Sequence, residues 1–385
     1  MKHYDYIVCG AGCAGLTFLY EILSLQNLQQ KKVLVIDSNL QKENDRTWCF
    51  WEKGNSRFEN LVYHKWENLH FNSTQFSSTL NIKPYIYKQI RGIDFYNYVL
   101  DFAKQFSNVT FIKEEIIGIE NENNLGCVKT NSGTFTAEYI FNSTFITTTR
   151  NDFKTPNSLL QHFKGIEIET TENYFNTQQA TFMDFSISQN LGTAFAYVLP
   201  TSPNKALVEY TFFTKNILQQ NEYDDLLKDY INNILKIKDY KITHTEFGVI
   251  PMTDFVFEKY NNRIINIGTV GGAVKASTGF TFKNIQKQIQ QIVALLEQNK
   301  KPYLKRSFTD RKFHLYDSVL LEVIAKNKMK GDEIFAAIFK KNKPQLVLKF
   351  LDNETNIFED LKIMSSVPTR IFLPIAIQKL LNTWR

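Results

Sequence analysis

At 385 residues the chain is long enough for two or three domains, and its 43% apolar and 14% aromatic content supplies a large interior, which excludes disorder over most of the length. The net charge of +6 is spread among mixed lysines and glutamates, so no nucleic-acid-binding surface is implied; an anionic cofactor or an anionic membrane surface remains compatible. Cys9, Cys13, Cys49 and Cys127 follow no metal-ligand spacing and read as reduced structural thiols, so no metal is expected.

In chain order, residues 6–9 form a short apolar strand ending at Gly10, 11–23 read as a helix with small residues near its start, and 33–36 form a strand closed by Asp37. This is a βαβ opening. Residues 38–82 are polar and Asn-rich, interrupted by Trp48, Phe50, Trp51 and Trp66, a pattern of loops and short strands. Phe95, Tyr96, Val99, Leu100, Phe102, Ala103 and Phe106 predict a helix over 91–106. Residues 109–119, 126–130 and 134–141 predict a three-stranded meander.

The pattern then changes to strands over 165–170, 180–185, 194–199 and 206–213, with a helix over 222–237 to cover one face of their sheet. Pro251 and Met252 are expected to turn the chain back toward the first unit. A strand over 263–267, the glycine-rich loop 268–272 and a helix over 281–297 repeat the opening grammar. From Phe313 the pattern is mostly helical, and it closes in an apolar, mildly amphipathic segment over 374–384. No run reaches the roughly 18–20 apolar residues needed to cross a bilayer, and residues 1–5 lack a secretory signal. A cytoplasmic, non-secreted protein is expected, with attachment to a membrane surface left open.

Gly10-x-Gly12-x-x-Gly15 lies between strand and helix, with Asp37 ending the next strand. Gly10 suits a tight turn, Gly12 a close approach to pyrophosphate and Gly15 close packing of helix on strand, while Asp37 is placed to accept from adenosine ribose hydroxyls. An ordinary αβ turn is the bland alternative. The combination favours an adenine dinucleotide.

Three further segments carry a resemblance: 44–51, Asn-Asp-Arg-Thr-Trp-Cys-Phe-Trp; Tyr197-x-Leu199-Pro200 leading to Ala206-Leu207-Val208-Glu209-Tyr210-Thr211; and Ile267-Gly268-Thr269-x-Gly271-Gly272-x-x-Lys275-x-Ser277-Thr278-Gly279-Phe280. Over nearly the whole chain the sequence resembles the bacterial lycopene beta-cyclases. The resemblance implies an α/β fold: a Rossmann-like FAD-binding domain of the glutathione reductase/aromatic hydroxylase type, with an inserted β-rich substrate domain and a helical C-terminal region. The corresponding division is 1–150 and 248–300 for the FAD-binding parts, 151–247 for the substrate domain and 301–385 for the helical region.

It further implies redox-neutral closure of the linear ends of lycopene to β-ionone rings, with FAD in its reduced form, NAD(P)H as electron donor, and lycopene and related carotenoids as partners. Glu209 inherits the acid/base role, with Asp45 and Glu246 as further acid candidates. Arg46, Gly268, Gly271, Gly272 and Lys275 are implied at the cofactor, and Trp48, Phe50, Trp51, Tyr197 and Tyr210 at the polyene. Each also has a plainer reading: core packing for the aromatics, an Asx-turn paired with Arg46 for Asp45, and a solvated lysine at 275. Thr269 stands where related hydroxylases carry aspartate. His162 reads as a packed histidine rather than a base. Rival functions are a flavin monooxygenase or polyprenyl reductase on another apolar substrate, and a non-catalytic dinucleotide- or lipid-binding protein.

Overall fold

A computed structural model describes residues 2–145 and 153–383. β1 (Lys2–Cys9), α1 (Cys13–Leu23) and β2 (Val33–Asp37) form the expected opening unit. Branched apolar residues crowd both strands because each lies inside a sheet covered on both faces. β3 (Thr47–Glu52), β4 (His64–Trp66), β5 (Asn68–Asn72) and β6 (Ser77–Asn81) occupy the polar, tryptophan-interrupted stretch, and β7 (Ile86–Arg91) follows just beyond it. α2 (Gly92–Ala103), β8 (Val109–Lys113), β9 (Ile116–Glu122), β10 (Leu125–Thr130) and β11 (Gly133–Asn142) follow. The span 109–119, read as one strand, is two. β8 pairs in parallel with β2, and the polar pair Glu114-Glu115 turns the chain into the meander that starts at β9.

β12 (Leu159–Glu169), β13 (Gln179–Asp184), β14 (Thr193–Ser202) and β15 (Lys205–Thr214) are the four anticipated strands of the second unit. α3 (Gln220–Asp229) continues into a π turn at Tyr230–Ile234 and leads to β16 (Lys241–Met252). Pro251 and Met252 do not turn the chain back. They are the end of β16, paired with Leu160 and Leu159. β16 is an edge strand, where the missing proline N–H costs no ladder bond. β17 (Tyr260–Asn261), β18 (Ile264–Asn266) and α4 (Phe282–Glu297) return to the first sheet. α5 (Phe308–Ala325), α6 (Gly331–Lys341), α7 (Pro344–Leu351), α8 (Ile357–Met364) and α9 (Thr369–Thr383) close the described chain.

The first sheet runs β17-β18-β11-β1-β2-β8, with β10 and β9 appended to β11. α1, α2 and α4 cover one face through Leu16, Phe18, Phe95, Val99, Ile285 and Ile289. The meander covers the other, Val128 packing with Ile7, Leu34 and Ile140. The second sheet runs β16-β12-β15-β14-β13-β5-β6. Residues 68–81, grouped by sequence with the first unit, therefore lie in the second sheet: strand pairing is not local in sequence, and Leu69, Phe71 and Leu80 find their core there. The division at 247/248 falls inside β16, and that at 150/151 lies outside the described residues, as does Trp384.

One face of the second sheet packs under α3, with Val208, Tyr210 and Phe212 against Tyr223 and Leu227. The other meets the C-terminal helices, with Tyr197, Leu199 and Leu207 in one core with Phe335, Phe339 and Leu348. A small sheet, β3-β7-β4, completes the architecture. The α/β fold with a C-terminal helical region is thus as expected. All four cysteines are free thiols. Among the described residues no helix is long and apolar enough to cross a membrane.

Candidate active site

β1 delivers the chain to Gly10 at φ 95°, and α1 begins with Gly12 as its cap. A β-carbon at Gly15 would collide with the Gly10 carbonyl, so glycine there lets the helix lie on the turn. A β-carbon at Gly12 would meet nothing within 4 Å, so space is open at the helix start. The first turn of α1 has neither a capping side chain nor an acid, which leaves its N–H groups and the positive helix end for an anionic ligand. This cradle fits the pyrophosphate of an adenine dinucleotide. Asp37 braces it: Oδ2 accepts from the Ala11 N–H at 2.5 Å and Oδ1 from the Asn39 N–H at 2.7 Å.

From Gly12 a cavity of about 440 Å³ reaches between the sheets to Glu209. Tyr197 on β14, Glu209 on β15, Gly165 on β12 and Glu246 on β16 are directly paired neighbours in one row across four strands. Cross-strand partners project from the same face, so the two acids flank a residue without a side chain. Glu246 is buried, and the open part of Glu209 faces the cavity. Desolvation raises both carboxyl pKa values well above the ordinary range, and the charge of Glu246 raises that of Glu209 further. Thr211 Oγ1 donates to Glu209 Oε1 at 2.6 Å and Thr47 Oγ1 to Glu246 Oε2 at 2.8 Å, which opposes the rise without reversing it. Both shifts favour the protonated carboxyls.

Asp45 and Arg46 line the same cavity, exposed. Asp45 accepts from Tyr96 OH at 3.1 Å, and Arg46 donates to the carbonyls of Asp45 at 2.6 Å and Phe247 at 3.3 Å. The Arg46 cation is thus held on β16, where it lowers the pKa of Glu246, rather than on the glycine turn. Trp48 lines the cavity and stacks on Phe282 at 5.4 Å between ring centroids. Phe50 and Trp51 do not line it. Phe50 is covered by Phe282 at 4.9 Å, and Trp51 is buried against α7, its Nε1 donating to the Leu348 carbonyl at 3.1 Å. Tyr210 is also misplaced by the sequence reading: strand alternation turns it to the face opposite Glu209, stacked on Phe212 at 5.0 Å beneath α3.

Lys275 does not offer its charge to the cavity. Its buried Nζ pairs with Asp317 at 2.9 Å and donates to Asn353 at 2.7 Å. Gly268 gives its N–H to Gln288 and Gly272 to the Thr269 carbonyl, at 2.8 and 3.0 Å. Gly271 and Gly272 border a separate polar cleft of about 410 Å³, whereas Thr269 lines the main cavity. His162 bonds Thr214 and Tyr223 at 2.7 and 2.5 Å, and burial lowers its pKa to about 4, as suits a packed neutral histidine. Gly165, Thr47 and Thr211 were not singled out by sequence. Period-two alternation could have found Thr211, two residues beyond Glu209 on the same face.

The fold is that of FAD-binding flavoproteins. A geranylgeranyl bacteriochlorophyll reductase-like protein from Thermoplasma acidophilum superposes with a TM-score of 0.67 at 13% identity, covering 99% of both chains. A flavoprotein/dehydrogenase from Cytophaga hutchinsonii gives 0.61 at 12% identity, covering 99% of this chain and 100% of that one. The p-nitrophenol 4-monooxygenase of Pseudomonas putida gives 0.59 at 11%, covering 98% of each. No curated protein sequence matches. The lycopene cyclase protein family matches residues 5–376, and the chain belongs to that family. An enzymatic role using FAD follows from the family.

Proposed function

We propose that this enzyme closes the linear ends of lycopene to β-ionone rings, giving β-carotene by way of γ-carotene, with NAD(P)H as the electron donor that keeps its FAD reduced. The observation that carries this reading is Glu209 on the wall of an aromatic-lined cavity that reaches the glycine turn, with the buried Glu246 beside it across Gly165; burial favours the neutral acid on both. Gly10, Gly12 and Gly15 with the first turn of α1 would hold the pyrophosphate, and Asp37 the adenosine ribose. When bound, the reduced flavin supplies an electron-rich surface that stabilises positive charge nearby.

Glu209 gives its proton to the terminal C=C of the polyene, leaving a tertiary cation. The nearer internal double bond attacks that cation to form the ring, and the ring proton then lost returns to the carboxylate pair, one proton short since the first step, so no electrons are exchanged overall. Glu246 keeps the proton on Glu209 beforehand by opposing a second negative charge. Trp48, Tyr197, Leu199 and Leu207 exclude the water that would trap the cation. Lycopene is a hydrocarbon of negligible water solubility, so the substrate is taken from a bilayer.

Anaerobic incubation of the reduced, flavin-loaded protein with lycopene, followed by chromatography and mass measurement, tests this. A ringed isomer of unchanged mass is expected. Added hydrogen, the outcome suggested by the reductase-like neighbour, or added oxygen overturns it. Glu209→Gln should keep flavin and lower cyclisation by about 10²- to 10⁴-fold; near-normal turnover removes Glu209 from the mechanism.

A further inference from the structure

Positive charge and exposed apolar surface coincide in the C-terminal helices. Residues 301–385 carry sixteen lysines and arginines against nine aspartates and glutamates, an excess of seven, while the whole chain has an excess of six. The rest of the chain is therefore marginally acidic. Ile357, Phe358 and Leu361 on α8 and Leu373, Ile377, Leu380 and Leu381 on α9 are all exposed, Phe358 by 84%. On α9 the four fall at i, i+4, i+7 and i+8, a single stripe, while Ile375 on the other side is buried in the core with Val319 and Val323 of α5. α9 contains no acid. Both acids of α8 are neutralised, Glu359 by Lys349 at 2.7 Å and Asp360 by Lys312 at 2.6 Å. Lys362 and Arg370 are exposed on the same two helices.

Behind the stripe lies an apolar chamber of about 590 Å³ enclosed by α5 to α9. Leu361, Leu373 and Leu380 are at once exposed and part of its wall, so the chamber opens through the stripe. On its inner side Phe335, Val347 and Leu351 share one core with Tyr197, Leu199 and Leu207, which wall the Glu209 cavity. Ser277 borders the chamber and Thr278 to Phe280 border the cavity, so one loop stands between the two.

We infer that this face docks on an anionic lipid bilayer and that the chamber receives a long apolar chain from it. An apolar helical stripe flanked by cations suits acyl chains beneath and anionic headgroups alongside, and a patch of this kind marks an interaction surface. Only the identity of the hydrocarbon rests on the cyclase reading.

Flotation of the flavin-loaded full chain with vesicles of phosphatidylcholine, with and without phosphatidylglycerol, tests the docking. Strong flotation is expected only with the anionic lipid, and the double variant Phe358→Glu, Leu381→Glu should weaken it about tenfold or more while keeping its flavin. Turnover of lycopene from vesicles should fall in parallel, with turnover from detergent micelles retained. Equal flotation of variant and wild type overturns the proposal, as does a dimer that the variant dissociates with no vesicle binding by either. A flotation difference without cyclisation keeps the docking and sinks the cyclase reading; cyclisation without flotation does the reverse. Parinaric acid, a fluorescent polyene, probes the chamber. Leu373→Trp, at the rim, should weaken its binding about tenfold; unchanged binding removes the chamber from the route.

Discussion

A β-carbon at position 165 would stand 3.1 Å from Glu246 Cγ and 3.2 Å from Leu207 Cδ1, so the absent side chain is what lets the two acids share a space. Gly165→Ala should push Glu246 away from Glu209 and lower cyclisation roughly tenfold with flavin content unchanged, since small displacements of reacting groups are costly; steady-state kinetics beside the flavin absorbance would show it. Burial holds Glu209 at about 8 against an ordinary 4.5. Between those limits the native state binds more protons than the unfolded chain, so stability falls as pH rises through that window. Urea unfolding at about pH 5 and about pH 9 should therefore show a smaller loss in Glu209→Gln than in the wild type. The proposed cyclisation starts from the neutral acid, so its rate should fall above about pH 8. At this scale the sequence was partly legible. Motif resemblance pointed to Glu209, but a strand alternates, and Tyr210 was assigned to the face its neighbour already occupies.

Periodicity revealed α1, α2 and α4 because each buries one apolar stripe, and it revealed β12 to β15 by their apolar runs. β16 was missed because Pro251 and Met252 read as a turn, and an edge strand tolerates the proline. The loop after β18 was misread for a different reason: Lys275 pairs with Asp317, forty-two residues on, a contact that no local pattern announces. Both partners are buried, so Lys275→Met strands a carboxylate and should cost about 3–5 kcal/mol of stability. Flavin affinity should be unchanged, because the cation is spent on α5 rather than on the cofactor. Urea denaturation with flavin titration separates the two effects; a weakened flavin with intact stability would reverse the assignment.

Over the whole molecule, a nearly neutral catalytic body is joined to a cationic helical cap, an asymmetry hidden in the overall charge of +6. Exposed charges are screened beyond about 8–10 Å at physiological ionic strength, so attachment to anionic vesicles should weaken as salt rises, with the apolar stripe supplying what persists; salt-independent flotation would assign binding to the stripe alone. The second sheet draws β5 and β6 from ahead of the meander and its other five strands from after it. Its outermost pair is therefore sewn in from an earlier stretch of chain. A recombinant that exchanges only 159–252 between two relatives would join strands of different parentage at the β13–β5 seam, and a functional graft must carry 68–81 along with it.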